Sequence, residues 1–243
     1  MLETTPSHSL DTSSAHLRRG SAPGSGPDAL PDLLLIERAR GGDERAIEAL
    51  IRRYGRRLFR VARSVLTDEE RAETAVLEAY LAAFGDLSRY EPTGKFAAWL
   101  TRLAFNQARA LRVSARATQA SALPAAGPPA AQAEPAAGDE PRERQALEQA
   151  IASLPPVFRT VYVLRVVEGI SGIETAASLG VHETTVRTRL YRAHRRLAPD
   201  LAQRVRTAAP LLEPSREATE RIVSRTLAQL SHGSMLTISA SPP

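Results

Sequence analysis

Apolar residues recur along this chain at the three-to-four-residue spacing of helices, and no segment alternates as a strand does. Order is expected to begin near Pro31, where Asp32 can cap a helix opening Leu33-Leu34-Leu35-Ile36. Gly41-Gly42 ends it, and Asp43 can cap the next. That second helix places Ile47, Leu50, Ile51, Tyr54, Leu58 and Val61 on one face, with Arg52, Arg53, Arg56, Arg57 and Arg60 on the other. Thr67-Asp68-Glu69-Glu70 supplies a hydroxyl cap and acids over the first turn of a third helix. It runs through Val76, Leu77, Tyr80, Leu81 and Phe84 to Gly85. A hinge at Tyr90, Pro92 and Gly94 leads to a fourth helix, about Phe96 to Val113.

Residues 114–141 are rich in Ala, Pro and Gly, bury little, and read as a flexible linker. A second block follows: Gln145–Leu154, stopped by Pro155-Pro156, then Val157–Val167, then two short helices around a tight turn at Gly180-Val181-His182. The last of these carries Val186, Leu190, Ala193 and Leu197 on an apolar stripe and Arg187, Arg189, Arg192, Arg195 and Arg196 elsewhere. A short helix, a glycine turn and a second helix with an arginine front have the shape that enters a DNA major groove. The plainer reading is a surface helix with a solvated basic face. Residues 1–28 read as a disordered tail. Within the C-terminal extension, 201–243, Arg216–Leu230 is one possible helix and the chain from about Ser231 reads as disordered. The fold class is all-α, with two small helical domains, 29–113 and 142–200, joined by a disordered linker.

Composition narrows the chemistry. The formal net charge of the 243 residues is +5 and the pI about 10.2, which suits an acidic partner. The charge is nearly all arginine, Lys95 being the only lysine. Cysteine is absent, which removes disulfides, thiol nucleophiles and cysteine-based zinc sites and fits a reducing compartment. No apolar run approaches the roughly 18–20 residues that span a bilayer, and no apolar segment follows a basic start at the N-terminus. A cytoplasmic protein without membrane insertion is expected. No phosphate-cradling glycine loop or supported Ser/His/Asp arrangement is present, and His182 and His194 lack nearby acids. No enzyme activity, cofactor or metal is expected.

Two all-helical modules with a helix-turn-helix in the second resemble an extracytoplasmic-function (ECF) sigma factor of the sigma-70 superfamily. LLLIERARGGDERAIEALIRRYGRRLFRVARSVLTD is similar to the opening of the family's region 2, RAETAVLEAYLAAF to its polymerase-binding helix and FAAWLTRLAFNQARAL to its promoter-melting helix. LPPVFRTVYVLRVVEGIS followed by SLGVHETTVRTRLYRAHRRL is similar to region 4. The resemblance implies a non-enzymatic protein that binds core RNA polymerase and promoter DNA. Its first module would dock on the polymerase clamp and capture a flipped base of the −10 element; its second would read the −35 element. An anti-sigma factor is a further possible partner.

The pattern departs from the family in places. Arg71-Ala72-Glu73-Thr74 stands where an acidic run is common, so Glu73 and, further along, Glu78 carry the remaining charge. Phe105 sits beside Asn106 where arginine is usual. Gly172, Thr175 and Ser178 replace larger side chains in the first helix of the helix-turn-helix.

The candidate −35 contacts are His182, Thr184, Thr185, Arg187, Thr188, Arg189, Arg192 and Arg196, with a simple helix cap as the alternative for Thr184. The candidate −10 and melting residues are Tyr90, Phe96, Trp99, Asn106 and Arg109. Trp99 suits either base stacking or the core, and Tyr90 and Phe96 either a base pocket or loop anchoring. Glu73, Glu78 and Tyr80 are candidate polymerase contacts, with a solvated helix face as the alternative. Two other functions fit the same features: a sigma-derived DNA-binding regulator that no longer docks on polymerase, and an interaction protein that titrates an anti-sigma factor.

Overall fold

The computed structural model describes residues 30–90, 96–121, 139–207 and 211–238. The expected N-terminal tail, the hinge residues Pro92 and Gly94 and most of the linker lie outside them. Among the described residues there are ten α-helices and no strand.

Four helices lead the chain: α1 (Asp32–Arg40), α2 (Glu44–Val65), α3 (Glu69–Gly85) and α4 (Phe96–Ser121). Asp43 caps α2, its carboxylate accepting from the amides of Arg45 (3.0 Å) and Ala46 (3.4 Å). At α3 the cap is Asp68, accepting from Arg71 N at 2.8 Å, and not the Thr67 hydroxyl. Nor does Asp32 cap α1. It is the first residue inside that helix, and its carboxylate is taken by Arg53 and by the Tyr54 hydroxyl from α2. The apolar stripe of α2 is fully used: Leu50, Ile51 and Leu58 are buried against Val76, Ala79 and Tyr80 of α3 and Leu100 and Ala104 of α4.

The second block comprises α5 (Asp139–Ser153), α6 (Pro156–Tyr162), α7 (Gly172–Leu179), α8 (Glu183–Arg196) and α9 (Pro199–Thr207). α4 and α5 both run into the stretch read as linker. A π turn, Val163–Val167, follows α6. Arg159 closes the C-terminal end of α5: its buried guanidinium donates to the carbonyls of Ala152 (2.6 Å) and Leu154 (2.9 and 3.2 Å). Leu147, Ile151, Tyr162, Val163 and Ala193 form this block's core, which also receives Val205 of α9 and Leu211 and Leu212 beyond it.

The chain then returns to where it began. α10 (Arg216–Ile238) lies on α2 and α3, with Ile222 and Val223 inside the first block's core. It extends past Ser231, where disorder was expected.

The two blocks also share a core. Val61 of α2, fully buried, packs with Val161, Leu164, Ile170, Ala176, Leu179 and Val186, with Phe105 of α4 at its margin. The arginine face of α2 is not a solvated stripe. Arg60 donates to the Leu211 carbonyl (2.8 Å) and pairs with Glu168 and Glu213; Arg57 reaches Glu168 (3.5 Å) and Arg56 reaches Glu213 (3.1 Å).

Candidate nucleic-acid interface

The helix-turn-helix is built by local rules. Ser171 opens α7 with a capping box: its hydroxyl accepts from Glu174 N (3.2 Å), and the Glu174 carboxylate accepts from Ser171 N (3.4 Å). Gly180 ends α7 in the left-handed region, φ +64°, which favours glycine. α8 then presents Val186, Ala193 and Leu197 inward. His182 caps α8 without a side-chain bond, and Thr184 makes no cap; both are exposed. Arg187, Thr188 and Arg192 are exposed, while Thr185 and Arg189 are half-buried. Among the described residues Arg187 makes a long, exposed contact to Glu183 (3.9 Å). Arg196 turns back over the Phe158 ring, 4.9 Å from its centroid.

Tyr191 escaped the sequence reading. It is 61% exposed, lies in the row formed by Arg187 and Arg195, and stands 6.0 Å below the Arg195 guanidinium. The available signal was an aromatic residue at helical spacing between two arginines on the polar face.

In the first block the candidates separate by burial. Tyr90 and Phe96 are buried and pack edge to face at 5.2 Å, with Tyr54 against Phe96 at 5.6 Å. Packed against each other at the start of α4, they are not open to a base in this arrangement. Trp99 is half-buried beside them, 4.9 Å from Tyr90. Asn106 and Arg109 are exposed further along α4, and Arg109 stands over Phe105.

The three α3 candidates also divide. Glu78 is exposed. Glu73 is buried, and Arg221 of α10 donates to both its carboxylate oxygens, at 3.0 and 2.5 Å. Tyr80 is a core residue. Its hydroxyl donates to the Ile51 carbonyl (3.0 Å), and burial pushes its pKa well above the usual value, so it cannot serve as a surface contact.

The helix-turn-helix faces α4 across a cleft of about 220 Å³ lined by Phe105, Arg109, Arg112, Leu179, Val181 and Arg189. The Arg102 guanidinium approaches Gly180 so closely that a Cβ there would stand 3.3 Å from it. Burial, then the neighbouring Arg116, lowers the Arg112 pKa. Among the described residues no group of three His, Cys, Asp or Glu is placed to hold a metal ion.

The family descriptions "Sigma-70 region 2" and "Sigma-70, region 4" match residues 50–117 and 144–197. RNA polymerase sigma factor CnrH of Cupriavidus metallidurans is 30% identical over 177 residues, covering 69% of this chain and 92% of that protein. This chain belongs to the sigma-70 family, as an ECF-type RNA polymerase sigma factor. Its role is accordingly that of a sigma factor directing transcription initiation. ECF RNA polymerase sigma factor SigE of Mycolicibacterium smegmatis is 31% identical over 172 residues, 67% of this chain and 65% of that longer protein. A solved structure of CnrH in complex with the cytosolic domain of CnrY matches with a TM-score of 0.51 at 28% identity, over 71% of this chain and 97% of that one. The two family matches fall within the helical blocks, the first beginning inside α2 and the second ending at Leu197, just past α8, so α10 lies outside both.

Proposed function

We propose that this sigma factor divides promoter recognition between its two blocks. Residues 29–113 dock on core RNA polymerase through the α3 face bearing Glu73 and Glu78 and open the −10 element along α4, with Trp99, Asn106 and Arg109 toward the DNA. Residues 142–200 read the −35 element with α8. The observation that carries this reading is α8 itself: a helix seated by Val186, Ala193 and Leu197 whose outer face offers Arg187, Tyr191, Arg192 and Arg195. Backbone amides at its start and the hydroxyls of Thr184 and Thr185 suit phosphate contacts.

The protein acts without an enzymatic reaction of its own and works in the cytoplasm. No helix among the described residues is long and apolar enough to cross a membrane. The solved complex of CnrH with the cytosolic domain of CnrY supports a protein partner for this chain as well.

Reconstitution with bacterial core polymerase tests the reading. Co-elution followed by discrete run-off transcripts from a pool of upstream genomic fragments is the expected result. Absence of co-elution at low salt would leave a DNA-binding regulator that has lost docking.

A further inference from the structure

We infer that α10 is a built-in occupant of the polymerase-docking face, so that core polymerase and the protein's own C-terminal helix compete for one surface. The inference rests on the docking role proposed above for the Glu73 side of α3.

Glu73 is the acid that remains of the run expected at 71–74, and α10 engages it. Arg221 clamps the carboxylate with two hydrogen bonds. One residue earlier on α10, Glu220 receives two from Arg52 of α2, at 2.8 and 2.9 Å. Two bidentate pairs of opposite polarity fix α10 on both neighbours and set its register. Between them Ala218, Ile222, Val223 and Thr226 are buried, and Leu227 and Leu230 pack at the edge of the first core.

The Arg52–Glu220 pair is exposed and contributes little on its own, whereas Arg221 neutralises a carboxylate that is buried under α10. The apolar side chains supply most of the binding, and the charge pairs supply selectivity for this site.

The approach to α10 is fixed as well. Leu211 and Leu212 sit in the second core, Arg60 holds the Leu211 carbonyl, and the Ser215 hydroxyl accepts from Ala218 N at 3.0 Å to start the helix. A helix tethered this closely meets its site at high effective concentration. Glu78, left exposed, gives an incoming partner a first contact before Arg221 is exchanged for a cation of the partner.

A docked α10 lowers apparent polymerase affinity by the fraction of chains in which the face is open, about tenfold if one chain in ten is open. The absence of cysteine allows a clean lock on the full-length protein. In the double variant Arg52→Cys/Glu220→Cys, a thiol-cleavable bismaleimide fixes α10 to α2. The locked chain is expected to bind core polymerase at least about tenfold more weakly than the same chain after cleavage of the linker. A second variant, Arg221→Glu, sets like charges against Glu73 and is expected to bind about tenfold more tightly than the unmodified protein, with its helical circular dichroism retained.

Equal binding by locked and cleaved chains would overturn the competition while leaving docking intact. Binding by neither, nor by the unmodified protein, would overturn the docking role of this face and the inference with it.

Discussion

Arg60 in α2 and Glu168 beyond the π turn form an ion pair across the two helical blocks, with side chains only 8% and 10% exposed. Glu213 and the Leu211 carbonyl complete the partners of the same guanidinium. Removing Arg60 strands a buried carboxylate that keeps only the longer contact to Arg57. Arg60→Ala is therefore expected to cost about 3–5 kcal/mol in urea unfolding. The double variant Arg60→Leu/Glu168→Leu is expected to recover much of that loss, because it removes the charge along with its partner. Equal losses in the single and double variants would count against the pair as the tie between blocks.

Thr175 is fully buried in α7, and its hydroxyl finds no hydrogen-bond partner among the described residues. Replacing that oxygen by a methyl group keeps the shape and ends the desolvation cost. Thr175→Val is expected to stabilise the protein by about 1 kcal/mol, read as a rise in the urea midpoint without a change in slope.

The arginines of α8 are not equivalent. Arg192 is exposed and pairs with no acid among the described residues, whereas Arg196 is spent on the Phe158 ring. Arg192→Ala is expected to weaken binding to promoter duplex by about 1–3 kcal/mol in fluorescence anisotropy and to leave stability unchanged. Arg196→Ala is expected to lower stability by about 0.5–1 kcal/mol, with the smaller effect on DNA. The reverse order would place Arg196 at the DNA.

Alkaline pH reports on two tyrosines. Burial, and then for Tyr54 the hydrogen bond to Asp32, raises the pKa of Tyr54 and Tyr80 above the ordinary value of 10.0. A raised folded-state value means that their contribution to stability is fully present below pH 10 and is lost as pH rises beyond it. Stability is expected to fall above about pH 10, with the phenolate absorbance of these two residues appearing only on unfolding. Tyr54→Phe is expected to flatten part of that fall. If all five tyrosines ionise together in the folded protein, the burial argument fails.

Where a few neighbouring residues decide the structure, the sequence was readable. The Asp43 cap, the Gly180 turn and the apolar stripe of α8 are all set within one or two turns, and at α3 the cap falls one residue past the expected Thr67, on Asp68. Asp32 misled because its carboxylate answers to Arg53 and Tyr54 on the next helix, not to its own backbone. The partners of the α2 arginines were hidden for the same reason: Glu168, Glu213 and Glu220 lie more than a hundred residues away, and periodicity does not say what a face meets. At the candidate site, the α8 arginines were visible as a pattern. The engagement of Glu73 by Arg221 was not, since a lone acid carries no mark of a partner 148 positions on.

The cleft between α4 and the helix-turn-helix has cationic walls. Arg109, Arg112 and Arg189 line it, and Arg71, Arg112, Arg116 and Arg159 line the adjoining hollow beside one acid, Asp68. Burial and then Arg112 lower the pKa of Arg159, so the strain of like charges is felt well inside. At physiological ionic strength such repulsion is screened over about 8 Å; in dilute buffer it reaches several times further. The ionic atmosphere is thus a silent partner at this seam, easing the repulsion between Arg112 and Arg159 where the Arg60–Glu168 pair holds the same two blocks together.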